Sequence, residues 1–180
     1  SIMIKYRKIL SPGGLIVGKK SKLKTYIPGA IALVLGIVAF CMMFASAVKY
    51  SANVGNTTLG SYSYTGAQLA FGYSENSVTI LSFNTMMFLA FLLPLAGGIV
   101  GLLSGKSFIL KIVATACFVV GAVFLFSTTA YATLGMSDTQ AAVVKNLDAS
   151  LCAGPIVAGI VSILGAVVCF FKKTIAKMIG

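Results

Sequence analysis

The side chains able to do chemistry are few and scattered. The 180 residues include no His, and the only carboxylates are Glu75, Asp138 and Asp148. A Ser or Cys nucleophile needs a base within hydrogen-bond reach, and the apolar parts of the chain hold none. Proton relay near neutrality lacks its usual groups for the same reason. The chain therefore reads as a non-enzyme with no cofactor. Three dispersed acids are a poor Ca²⁺ site and read as solvated. Cys41, Cys117, Cys152 and Cys169 lack metal-ligand spacing, and three of them lie within or at the ends of apolar runs, where a thiol behaves as a small apolar group.

Uncharged polar groups cluster instead. Asn84 and Thr85 stand near the start of one apolar run, and Ser127, Thr128 and Thr129 near the end of the next. If these runs are antiparallel helices, the two groups sit at similar depth. Inter-helix hydrogen bonding, worth about 0.6 kcal/mol per bond, is the default reading. The rival is a polar vestibule that replaces the hydration of a small solute or ion.

The elements that must position these groups follow from composition. Hydrophobic residues make up 58% of the chain and charged ones 9%, against about 25% charged in soluble domains. Each of four apolar runs reaches the roughly 17–25 residues that a helix needs to cross hydrocarbon while satisfying its own backbone. The expected fold is an all-α membrane protein, a four-helix transmembrane bundle. Its spans are placed at 26–48, 78–104, 108–134 and 155–171. Ala45-Ser46-Ala47 resembles a signal cleavage site, but the apolar region before it is too long for one and reads as a span.

Of the 14 basic residues, all but Lys49 and Lys145 fall in the 1–25 segment, the 104–111 turn region or the 172–180 tail, with no acid among them. In a soluble protein the net charge of +11 would suggest nucleic acid. Here its placement follows the positive-inside rule. Both termini are expected in the cytoplasm, with loops 49–77 and 135–154 outside a plasma membrane. A short surface helix with Ile2, Ile4, Ile9 and Leu10 is expected before the breaker Ser11-Pro12-Gly13-Gly14. Lys19, Lys20, Lys22 and Lys24 are expected to contact the headgroups of anionic membrane lipids.

The first outer loop contains SYSYTGAQLAFGY. With Thr65-Gly66 as a two-residue turn, Tyr62, Tyr64, Leu69, Phe71 and Tyr73 share one face of a β-hairpin, and the small polar residues take the other. That aromatic face is the candidate assembly surface, since strand edges recruit other strands. In the second outer loop, Ser137 and Gln140 have the spacing of a capping box, opening a short helix with Ala141, Val144, Leu147 and Leu151 on one stripe. Hairpin and helix together form an extracellular cap. Asn56-Thr57-Thr58 matches a glycosylation acceptor, which matters only in a secretory host that glycosylates.

Gly97, Gly101 and Gly105 form one row of small residues, and Ala158, Ser162 and Ala166 another. Helices in lipid associate through close approach, so both rows read as packing seams, within one subunit or between copies. PLAGGIVGLLSG and PIVAGIVSILGA align as if repeated, but their following lysines sit at different depths, which favours convergent packing.

The order of basic N-terminus, span, loop with YTGAQLAFG, and span with Leu93-Pro94-Leu95 resembles small four-span membrane proteins of low-GC Gram-positive bacteria. The plan is also similar to that of claudins and tetraspan proteins, with a β-rich first outer loop, though Trp and the loop cysteine pair are absent. That likeness implies lateral assembly. The expected function is a non-catalytic structural or interaction subunit that forms a homo-oligomer or joins other membrane proteins through the cap and the seams. The alternative is a passive channel or small-solute carrier.

Overall fold

The computed structural model describes residues 14–54, 57–105 and 107–178, and their side chains apart from those of 14–25, 54–59 and 176. The surface helix expected before residue 11 lies outside the described residues. So do Asn56 of the acceptor motif and the side chains of Lys19, Lys20, Lys22 and Lys24.

Among the described residues, four helices are long and apolar enough to cross a membrane. They belong to α1 (Gly14–Cys41), α3 (Thr85–Leu103), α4 (Phe108–Phe126) and α7 (Ala153–Phe170). Between α1 and α3 lie β1 (Ser46–Val54), β2 (Thr57–Thr65), α2 (Gly66–Phe71), β3 (Tyr73–Glu75) and β4 (Val78–Leu81). Between α4 and α7 lie α5 (Thr128–Tyr131), a 3₁₀ turn, α6 (Asp138–Val144) and β5 (Asp148–Leu151), and α8 (Lys172–Met178) ends the described chain.

The helices run up and down in a ring. α1 packs on α3 and α7, and α4 packs on the same two, while α3 and α7 meet only sparsely across the diagonal. α8 returns against α1, so the basic ends of the described chain lie together, with the strands at the opposite end. α1 continues without a break from Gly14 into its span, so the lysine-rich stretch and the first crossing are one element.

The apolar runs overshoot the helices at the strand end. Residues 46–48 pair in β1, Val78–Leu81 form β4, and the third run leaves α4 at Phe126 for α5 and a 3₁₀ turn. An apolar segment does not by itself state its period. Of residues 46–48 and 78–81, Ala47, Val48 and Leu81 are buried in the core beneath the cap, while Val78 is exposed.

The cap is built from both loops. β1 is the central strand of an antiparallel sheet ordered β2-β1-β5, so the first loop's strand pairs with the second loop's. Asn53 donates to Asp148 at 2.7 Å, and Cys152 N–H donates to the Ala47 carbonyl at 2.9 Å. β3 and β4 form a separate hairpin whose two turn residues, Asn76 and Ser77, both have positive φ, as a twist-matched two-residue turn requires. Ser82 N–H donates to the Gly135 carbonyl at 2.7 Å and joins that hairpin to the second loop.

The main core lies where cap and bundle meet. Met43, Tyr50, Leu69, Leu81, Met87, Phe91 and Leu125 are buried together there. Burying each such side chain contributes about 1.5–3 kcal/mol where water is the alternative. A smaller cluster of Ala32, Ala114, Phe118, Ala166 and Cys169 fills the basic end.

Candidate interaction surface

The hairpin expected at Thr65-Gly66 is not there. β1 and β2 pair across residues 55–56, from Val54 opposite Thr57 up to Ser46 opposite Thr65. Thr65 instead begins a helix. Its hydroxyl accepts from Gln68 N–H at 3.2 Å, while Gln68 Oε1 accepts from Thr65 N–H at 2.9 Å, which satisfies orphan donors at the start of α2 reciprocally. The capping pair expected in the second loop does not form. Ser137 precedes α6, but its side chain makes no cap bond, and Gln140 Oε1 is buried without a partner. Leu147 and Leu151 fall beyond α6, the latter in β5.

This shift redistributes the five residues of the expected aromatic face. Tyr62 projects from β2 at 71% exposure, whereas Leu69 is 1% exposed and belongs to the core, so it presents no assembly surface. A helix in place of a strand turns Leu69 toward the bundle. Phe71, at the end of α2, is exposed, with its ring 5.6 Å from that of Phe88. Tyr64 is half-buried and meets Tyr50 edge-on at 6.2 Å, and Tyr73 pairs with Leu81 in the second hairpin. Burial pushes the Tyr50 phenol up to about 12 and also raises that of Tyr64, with neighbouring tyrosines adding to both. Both stay neutral, and neither is a base at ordinary pH.

What remains open is an edge. Among the described residues β2 has β1 on one side and no strand on the other. TTLGSYSYT contains no charge and no Pro, the usual devices that blunt an edge strand. Beside it, Tyr64, Ile80, Met136, Gln140, Val143 and Val144 line a shallow apolar cleft of about 220 Å³.

No family model, curated protein or solved structure matches this chain.

The small-residue seams are occupied within the chain. A Cβ at Gly97 would lie 3.1 Å from the Ala114 carbonyl oxygen of α4, and one at Gly101 would lie 3.0 Å from Cys169 Sγ of α7. Ala158, Ser162 and Ala166 are buried, and Ser162 donates to the Ala158 carbonyl at 2.7 Å. Gly105 does not continue the row. It sits in the α3–α4 turn at φ +34, touching no other helix, because α3 has already ended. Contacts that spacing did not reveal are closer still: Gly36 against the Pro94 carbonyl oxygen, Gly98 against the α1 backbone, and Gly121 against the Pro94 ring.

The polar cluster divides. Asn84 is 4% exposed; its Oδ1 accepts from Met86 and Met87 N–H, and its Nδ2 donates to the Tyr131 carbonyl at 2.7 Å. Thr128 is fully buried and donates to the Leu125 carbonyl at 2.6 Å. Thr85 is exposed, and Ser127 and Thr129 are half-buried. The two deepest members thus spend their polar atoms on backbone partners. Each carboxylate stands on its own cap element, Glu75 on β3, Asp138 on α6 and Asp148 on β5.

Sequence reasoning missed Lys172. Only 4% exposed, it folds back so that Nζ donates to the Gly101 carbonyl at 3.0 Å and to Ser104 Oγ at 2.9 Å. The cation thereby meets the negative end of the α3 dipole. Its place was readable from the stripe Ser162, Gly165, Cys169, Lys172, which continues the buried face of α7. Burial first, and then the charge of Lys111, hold this ammonium below its ordinary value of 10.5. The unfolded chain then binds the proton more tightly, so stability rises with pH between the depressed value and 10.5. Lys172→Met is expected to remove that rise, measured as the difference between wild-type and variant melting curves from neutral to alkaline pH.

Proposed function

We propose that this chain is a non-catalytic integral membrane protein, a structural or interaction subunit that associates through its cap with a second copy of itself. The observation that carries the reading is the β2 edge, unpaired among described strands, uncharged and flanked by the exposed Tyr62. A strand edge offers backbone donors and acceptors in register, and another strand satisfies them better than any side chain. Gly97 and Gly101 of one seam and Ala158, Ser162 and Ala166 of the other are already used by intrachain packing, which leaves the cap as the assembling part. The resemblance to the claudin and tetraspan plan supports the same reading. So does the commitment of Asn84 and Thr128 to backbone partners, which removes their polar groups from a conduit.

In this reading the bundle spans the plasma membrane. The lysine-rich end faces the cytoplasm by the positive-inside rule, with both termini there and the cap outside. Anionic lipid is a partner of that end.

The test is proximity and mass. In a cysteine-free background, Ser61→Cys on β2 is expected to give a disulfide dimer in native membranes, and Ser61→Lys to reduce the particle in mild detergent to one chain. A monomeric wild type, or an oligomer indifferent to Ser61→Lys, would refute assembly through β2.

A further inference from the structure

Near the basic end, α4 and α7 do not close against each other at the surface. Phe108, Ile112, Ala116 and Val119 form a stripe along α4, and Phe170 of α7 makes the opposite wall of a groove of about 490 Å³. Ala116 has the smallest side chain of the stripe, a methyl group between bulkier neighbours. Phe170 is braced by Phe171, their rings 5.1 Å apart and near perpendicular. The lining is apolar except at one end, where half-buried Lys111 stands one turn into α4 and the Thr115 hydroxyl donates to the Lys111 carbonyl at 2.9 Å.

The electrostatics at that end are one-sided. The charge of Lys111 reaches Lys172, and Lys172 is already committed to Gly101 and Ser104. The N-terminus of α4, where Ser107 provides no side-chain cap, adds a positive backbone field. None of the chain's three acidic side chains is near, because all lie on cap elements. A helix from another copy would bring apolar surface but leave this charge unbalanced.

We propose that the groove is a binding site for one acidic phospholipid, with an acyl chain lying along Phe108, Ile112, Ala116 and Val119 and the phosphate held at Lys111. The inference rests on membrane insertion and is independent of assembly through β2. It differs from general attraction of lipid to the lysines of α1, because it requires both the groove and one named cation.

The experiment is native mass spectrometry of the full chain in detergent, titrated with dioleoylphosphatidylglycerol or dioleoylphosphatidylcholine. Wild type is expected to retain one phosphatidylglycerol per chain at concentrations where phosphatidylcholine is lost. Lys111→Gln is expected to weaken phosphatidylglycerol retention about fivefold, with phosphatidylcholine unaffected. Ala116→Phe, which puts a ring into the groove at its smallest lining residue, is expected to abolish the retained lipid, whereas Lys173→Gln changes nothing. Positions 111 and 116 are not core positions, so both variants are expected to melt with wild type. Equal retention of the two lipids would overturn the proposal, as would phosphatidylglycerol binding unchanged in both groove variants, which would locate the lipid at the α1 lysines. Displacement of the lipid by millimolar inorganic phosphate would also overturn it, since that would make the acyl groove irrelevant.

Discussion

Replacing Gly98 with Leu is expected to destabilise the bundle by at least about 3 kcal/mol and to give an aggregated or heterogeneous species in detergent. A Cβ there would lie 2.9 Å from the Ala32 carbonyl oxygen and 3.0 Å from Leu33 Cα. These are backbone atoms of α1, which no rotamer change can move aside. Relief requires α1 and α3 to separate, and in lipid no hydrophobic drive compensates for lost contact between helices. Gly60→Ala is the matched control, because a Cβ at that position of β2 meets nothing within 4 Å. Size-exclusion profiles and denaturant titrations of the two variants would decide the matter. A folded, monodisperse Gly98→Leu protein with unchanged melting would show that the α1–α3 approach is not what holds the bundle.

Asn84→Ala is expected to have the next largest effect, about 2–4 kcal/mol. Loss of the α3 cap costs about 1 kcal/mol. The Tyr131 carbonyl, left without its donor in a part-buried site, adds about 1–3 kcal/mol. Three bonds disappear with one side chain: two cap the first turn of α3, and the third joins α3 to the segment that follows α4. Thr85→Ala, one residue on but exposed, is expected to stay within about 0.5 kcal/mol. A conduit would predict the reverse emphasis, with solute flux into vesicles changing and melting not. Thermal melts and vesicle flux on the same two variants separate the readings.

The four apolar helices were legible because length and composition are enough to recognise them. The boundaries at the cap were not, since Val78–Leu81 and residues 46–48 are as apolar as any helix and pair as strands only because partners exist. The hairpin was misplaced through a choice between turn signals. Gly55-Asn56 is a stronger hairpin dipeptide than Thr65-Gly66, and Thr65 with Gln68 carries the spacing of a helix start. The same spacing at Ser137 and Gln140 produced no cap bond, so the pattern offers a geometry that the tertiary context can decline. Glycine rows were visible as spacing, but their partners were not. Gly98, Gly36 and Gly121 matter because of what approaches them, and Pro94 lies between two of them. Lys172 was hidden by its type, since a lysine beside a span ordinarily reaches for headgroups, and only its place on the buried stripe of α7 distinguished it.

The central place of β1 in the sheet has a consequence for biosynthesis. Its neighbour β5 lies far downstream, the Ser150 hydroxyl bonding to a carbonyl 101 residues earlier. When β1 leaves the ribosome, two hydrophobic segments must still be threaded before that neighbour exists. One flank of β1 therefore stays bare until the final loop is delivered. Closure of the sheet thus reports delivery of the second loop, and any molecule whose intervening segments fail to insert displays a sticky strand to the quality-control machinery.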